Sequence, residues 1–179
     1  ALDPGYVGEG LTAVGDTLVQ LTWRESSVLR WRAEDLTPGP TGSIEGEGWG
    51  LATVDAGTLV ASDGGATLTF RSAADLQPLR TVTVTRKGRP VDDLNELEVV
   101  DGAIWANIWR SNEIIRIDLD TGKVTATVDL SSIVPDGLSD PEAVLNGIAH
   151  RRGDPASRLW VTGKRWPVLY EIDVAGSLR

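Results

Sequence analysis

The chain has 179 residues, 41% of them hydrophobic, enough for one domain with a sizeable core across residues 1–179. A formal net charge of −9 would repel a nucleic-acid backbone or an anionic membrane surface, which excludes both as partners. With no cysteine and a single histidine, His150, the chain holds no disulfide framework, no thiolate metal site and none of the usual zinc ligand sets.

No apolar run approaches the roughly 20 residues that cross a bilayer. The 20 glycines and 9 prolines are scattered between short apolar runs, which points to an all-β protein with many tight turns. In chain order, a first unit opens at Gly8-Glu9-Gly10 and runs as Gly10-Leu11-Thr12-Ala13-Val14, a Gly15-Asp16 turn, and Leu18 to Trp23. The pattern recurs from Gly50 to Ser62 around Ala56-Gly57, and from Glu96 to Trp109 around Asp101-Gly102. A looser copy begins at Asn146-Gly147-Ile148 and resumes, after a polar insertion, at Arg158-Leu159-Trp160-Val161-Thr162-Gly163. The steps Gly10 to Gly50 to Glu96 to Asn146 are 40, 46 and 50 residues, the period of a four-stranded propeller blade.

Each unit is predicted to fold its first two strands as a hairpin on the Gly/Asp turn. Third strands are predicted at residues 27–31, 67–70 and 113–118, and fourth strands in the second and third units at residues 80–84 and 123–128. The Asp120-Thr121-Gly122-Lys123 turn suits the outer hairpin of the third unit. Four blades is the lower limit for a propeller, and an open array leaves sheet edges exposed, so a further strand or blade is expected outside this chain.

Innermost propeller strands run along a central channel, and the loops at one end commonly form the site. Glu9, Trp49, Asn95 and Asn146 stand at the same phase of the four units and form a first ring at one channel mouth. Trp23, Ser62-Asp63, Trp109 and the run Gly163-Lys164-Arg165-Trp166 form a second. One carboxylate among amides, a lysine and indoles suggests proton transfer on a small, largely uncharged substrate. Trp31, Trp105 and Trp160 read as packing between blades. Asp92-Asp93 and the stretch Glu45 to Glu47 read as solvated surface, as does His150, and Tyr6 has no assigned role.

The segments Gly8-Glu9-Gly10-Leu11-Thr12, Gln20-Leu21-Thr22-Trp23, Gly48-Trp49-Gly50-Leu51, Leu94-Asn95-Glu96-Leu97-Glu98, Trp105-Ala106-Asn107-Ile108-Trp109, Leu145-Asn146-Gly147-Ile148-Ala149 and Val161-Thr162-Gly163-Lys164-Arg165-Trp166-Pro167 occur in this order. Together with Ser62-Asp63-Gly64 they closely resemble the plant-type glutaminyl cyclases, or glutamine cyclotransferases, of plants and bacteria. The resemblance implies a five-bladed β-propeller of which this chain carries about four blades, the N-terminal one lying outside it. It also implies conversion of the N-terminal glutamine of peptides or proteins to pyroglutamate with release of ammonia, without metal or other cofactor.

Residue by residue, the resemblance makes Glu9 the catalytic acid and Asn95 and Lys164 its polar substrate and transition-state contacts. Trp23, Trp49 and Trp109 become pocket indoles, joined by Asn146 and Trp166 from the two rings as substrate-binding residues. Val7 stands where the family usually has an aromatic two positions before the acid. The family further suggests a secreted or periplasmic protein, read here as a monomer, with a companion N-terminal fragment able to complete the propeller. The contrasting reading is a non-catalytic propeller that binds a peptide terminus or small ligand in the same Trp-lined channel.

Overall fold

The computed structural model describes residues 2–178. Four antiparallel sheets follow one another along the chain, and within each the strands pair in sequence order. The first blade comprises β1 (Gly8–Val14), β2 (Thr17–Thr22), β3 (Ser27–Arg32) and the two-residue β4 (Gly42–Ser43). The second comprises β5 (Leu51–Asp55), β6 (Thr58–Ala61), β7 (Thr67–Ser72) and β8 (Pro78–Thr83). A small hairpin, β9 (Thr85–Arg86) and β10 (Arg89–Pro90), precedes the third blade of β11 (Leu94–Val100), β12 (Ala103–Ile108), β13 (Glu113–Asp118) and β14 (Val124–Asp129). The fourth blade has three strands, β15 (Leu145–Ala149), β16 (Arg158–Gly163) and β17 (Tyr170–Asp173). Among the described residues these are the blades, and the fifth implied by the resemblance is not one of them. No helix among those residues is long and apolar enough to cross a membrane.

Local chemistry accounts for the turns. Asp101 and Gly102 have φ of 49° and 70°, as a two-residue type I′ hairpin requires, so β11 returns directly into β12. In the outer hairpin of the same blade, Asp118 Oδ1 accepts the Thr121 N–H at 2.8 Å and its hydroxyl at 2.6 Å, while the Gly122 N–H donates to the Asp118 carbonyl. Strand β4 was not expected. Pro38 and Pro40 remove ladder donors just before it, which leaves a pairing of only Ser27 with Ser43 and Val28 with Gly42, too short for any alternation to show.

Alternation along the strands builds three apolar interfaces, one between each successive pair of blades. Val19, Leu21 and Val28 meet Leu51, Leu59 and Ala61 between blades one and two. Ala52, Val60, Leu68 and Phe70 meet Leu97, Ile104, Ala106 and Ile117 between two and three. Val100, Trp105 and Ile114 meet Leu145, Leu159 and Val161 between three and four. Strand β12 shows the logic, since Ile104 and Ala106 face one neighbouring blade and Trp105, 1% exposed, faces the other. Each such large side chain removed from water contributes about 1.5–3 kcal/mol before entropy is counted. Trp105 therefore packs between blades as expected, and Trp31 lies beside Leu11, Leu18 and Leu36 on the face of blade one turned away from blade two.

Polar stitches near the channel hold the blades in phase. The Gly10 N–H donates to the Trp49 carbonyl at 2.7 Å. Ser62, 2% exposed, accepts from the Gly50 N–H and donates to the Asn95 carbonyl, both at 2.7 Å. Asn107, fully buried, accepts from the Gly147 N–H at 2.9 Å. A β-carbon on Gly50 would collide with the Asn95 carbonyl, so blades two and three come this close because residue 50 has none.

Candidate functional site

The site residues emerge from one repeated irregularity. In β1, β11 and β15 the pairing register slips by one residue at the start of the strand, between Gly8 and Leu11, Leu94 and Leu97, and Leu145 and Ile148. These β-bulges contain Glu9-Gly10, Asn95-Glu96 and Asn146-Gly147, and a bulge re-aims a side chain out of the regular ladder. In blade two, Trp49-Gly50 occupies the equivalent place just before β5. The partner strands end beside them, so Trp23 follows β2, Trp109 follows β12 and Lys164 follows β16. The same backbone bond fixes each of these three, from Trp23 N–H to Val7 carbonyl at 2.9 Å, Trp109 to Asp93 at 2.7 Å and Lys164 to Val144 at 2.9 Å.

These ends surround a cavity of about 380 Å³ lined by Val7, Glu9, Trp23, Trp49, Asn95, Trp109, Glu142, Lys164 and Arg165. Six of the eight residues expected at the site thus line one pocket. The Lys164 ammonium donates to both Glu9 oxygens, at 3.0 and 3.3 Å, and only 14% of the Glu9 side chain is exposed. Lys164 Nζ also stands 4.8 Å from the centroid of the Trp109 ring, within cation–π range. Trp109 meets Trp49 edge to face, with centroids 6.2 Å apart and planes at 71°. The Trp49 ring lies flat over Gly64, where a β-carbon would come within 2.8 Å of it and where φ is +86°.

Asn95 is 3% exposed, and its side-chain oxygen accepts from the Asn146 amide at 3.4 Å. With that oxygen engaged, the NH2 end is what Asn95 offers a ligand. Asn146, expected on the pocket wall, stands behind it, because its own oxygen receives the Glu96 N–H at 3.3 Å. Trp166 likewise departs from the lining. Arg165 adopts φ of +60° and the Trp166 N–H returns to the Gly163 carbonyl, so the turn folds the indole back over Gly163, where its Nε1–H donates to the Ala143 carbonyl at 3.1 Å.

Two features escaped the sequence reading. Glu47, taken as solvated, accepts from the indole N–H groups of Trp23 at 2.8 Å and Trp49 at 2.9 Å. Those bonds, the Trp49 one foremost, together with Arg24 hold its carboxyl below the usual carboxylate range. The rim is charged but internally paired, with Arg110 on Glu142 at 3.4 Å and Arg165 on Asp140. Deeper in the channel, Glu96 and Glu98 follow Asn95 on the same face of β11, spaced two apart. Burial first, then the charges of Glu98 and Glu9, push Glu96 up to about 8 against the opposing pull of Lys164. Burial also raises Glu98 to about 7, although it accepts the His150 backbone N–H at 3.1 Å. His150 is therefore tied to the channel by its backbone, while its ring reaches the Pro155 carbonyl.

Chemically, the pocket combines a carboxylate able to take and return a proton, two donors able to face a developing oxyanion, and aromatic walls suited to a neutral ligand. The glutamine cyclotransferase family model matches residues 1–174. The glutaminyl-peptide cyclotransferase of Arabidopsis thaliana is 37% identical over 175 residues, covering 96% of this chain and 54% of its own, so the chain spans about half the length of that curated relative. The crystal structure of Myxococcus xanthus glutaminyl cyclase superposes with a TM-score of 0.88 at 41% identity, over 94% of this chain and 72% of that one. The WD40 β-propeller domain of Doa1, at 11% identity and a TM-score of 0.56 over 87% of this chain and 47% of that one, shares the fold alone. From its first blade to its last, the chain belongs to the glutamine cyclotransferase family.

Proposed function

We propose that the protein is a glutaminyl-peptide cyclotransferase, acting on peptides or proteins that begin with glutamine. The observation that carries this reading is the pairing of Glu9 with Lys164 inside the indole-lined pocket, 3.0 Å apart and with Glu9 largely withdrawn from water. The substrate's α-amine attacks its own γ-carboxamide carbon, a C–N bond closes the five-membered ring, and the original C–N bond breaks to release ammonia. Glu9 takes the proton lost by the attacking nitrogen and delivers it to the departing one, so no water is consumed. The Lys164 ammonium and the Asn95 NH2 steady the oxygen that becomes negative in the tetrahedral intermediate.

Trp23, Trp49 and Trp109 hold the chain end folded for ring closure and exclude competing water. Asn146 and Trp166 serve from behind the wall, one orienting Asn95 and the other bracing the turn that carries Lys164. Every step is carried by side chains of the pocket. The protein is further proposed to act as a secreted or periplasmic monomer, with a companion N-terminal segment contributing the remaining blade. Mass spectrometry of a Gln-initiated peptide should show loss of ammonia with the wild-type protein, slowed about 10²–10⁴-fold by Glu9→Gln. An unmodified peptide after incubation with folded wild-type protein would refute the activity, and equal conversion by the variant would remove Glu9 from its role.

A further inference from the structure

The pocket wall is a chain of contacts running through all four blades, and one link in it is not an aromatic or a catalytic group. From the fourth blade, Lys164 reaches Glu9 of the first and the ring of Trp109 of the third. Trp109 meets Trp49 of the second blade. Trp49 and Trp23 are joined through Glu47, whose Oε2 accepts both indole N–H groups at 2.9 and 2.8 Å. The other carboxylate oxygen accepts the Arg24 Nε–H at 3.0 Å, and the Arg24 guanidinium lies 3.7 Å over the Trp23 ring, which closes a small circuit on the outside of the wall.

The loop that carries Glu47 is itself pinned on both sides. The Gly48 N–H donates to the Trp23 carbonyl at 2.9 Å, and the Trp49 N–H donates to the Ser62 carbonyl at 3.1 Å. Backbone bonds therefore set the carboxylate between the two rings. An indole has one N–H donor and no acceptor, and a carboxylate accepts at both oxygens, so a single acid saturates both rings while leaving nothing to donate into the pocket.

We propose that Glu47 is a positioning residue that locks the Trp23 and Trp49 indoles at a fixed angle and withdraws their N–H groups from the cavity, so that the wall offers a glutaminyl end only ring faces. Rings released from Glu47 would present a looser wall to the glutaminyl end and weaken its binding, without touching Glu9, Lys164 or Asn95. The kinetic part rests on the cyclotransferase reading, whereas the geometric part stands without it. Glu47 is 36% exposed and fills no core volume, so its replacement leaves the blade interfaces intact.

The test combines kinetics on a Gln-initiated peptide with ¹H–¹⁵N spectra of the seven tryptophan indoles, those of Trp23 and Trp49 assigned through Trp23→Phe and Trp49→Phe. Glu47→Ala should raise KM about tenfold with kcat within about twofold, the signature of lost binding and retained chemistry. It should also shift the Nε1–H resonances of Trp23 and Trp49, and through ring contact that of Trp109, while those of Trp31, Trp105, Trp160 and Trp166 hold. Glu47→Gln keeps one acceptor oxygen for the rings but turns its NH2 toward Arg24, so it should recover part of both effects, and the shorter Glu47→Asp should not. Unmoved indole resonances in Glu47→Ala would overturn the clamp, and a KM within about twofold of wild type would overturn its role in binding. A wild-type protein that converts no peptide would sink the cyclotransferase reading alone, because the indole resonances still decide the geometry.

Discussion

The carboxylates at the mouth of the channel and those inside it are the same residue type in opposite circumstances. Glu9 and Glu47 each meet cations or donors, an ammonium at 3.0 Å for one and two indoles plus a guanidinium for the other. Glu96 and Glu98 sit on the inner strand of blade three, half-buried and close enough for the charge of Glu98 to act on Glu96. Proximity to the pocket does not set the proton state; what each oxygen touches does. At the mouth, indole and guanidinium donors hold the Glu47 carboxyl below the usual carboxylate range, whereas the acids below it hold their protons into the neutral range.

The strongest way to break that contrast is Lys164→Met, which removes the cation paired with Glu9 and, on the proposed mechanism, an oxyanion donor. Steady-state kinetics should show kcat lowered about 10²–10³-fold with the fold retained by circular dichroism. A near-normal kcat would mean the pairing is incidental. Glu96→Gln acts on the other side of the comparison. Glu96 stays protonated to about pH 8 in the folded chain but ionises near 4.5 when unfolded, so the native state binds more protons between those values. The stability that Glu96 contributes is therefore fully present below about pH 4.5, falls as pH rises toward 8, and levels off above it. The glutamine variant should flatten that decline and, in denaturant titrations at pH 8.5, exceed wild type by about 3–5 kcal/mol while differing little at pH 5.

Glu98→Gln should do the same on a smaller scale, about 2–3 kcal/mol, with the decline levelling off above about pH 7. The smallest effect is expected from Asn146→Ala, which frees the Asn95 oxygen without touching the pocket lining. A severalfold fall in kcat/KM measured on a Gln-initiated peptide would match the loss of one neutral hydrogen bond, about 0.5–1.5 kcal/mol. No change would place Asn95 under other control.

Much of this was legible in the sequence because repeats expose phase. Glu9, Trp49, Asn95, Trp23, Trp109 and Lys164 fall at matching points of successive hairpins, and the bulges that aim three of the inner-strand positions recur with the repeat. Phase says which end of a strand a residue occupies and not which way its side chain leaves a turn. Trp166 follows Lys164 by two residues, yet a left-handed Arg165 reverses the chain and buries the indole behind the wall. Asn146 has the right phase and is diverted by a nearer partner, the Glu96 backbone. Glu47 was hidden for the opposite reason, since it lies between repeats in an acidic stretch whose composition reads as surface. The β9–β10 hairpin left one local signal, Lys87-Gly88, whose φ values of 53° and 79° form its two-residue turn. Glu96 and Glu98 show the alternation of one strand face, but that the face looks toward the central channel follows only from the packing of the blades around it.

The Glu9–Lys164 pair joins residues 155 positions apart, the first blade to the fourth. At a synthesis rate of about 5–20 residues per second, Lys164 follows Glu9 off the ribosome by roughly 8–30 s. Until the last blade docks, Glu9 has no cation and the wall has a gap beside Trp109. The pocket is consequently a late product of folding, and a nascent or partly unravelled chain carries the acid without the site that would employ it.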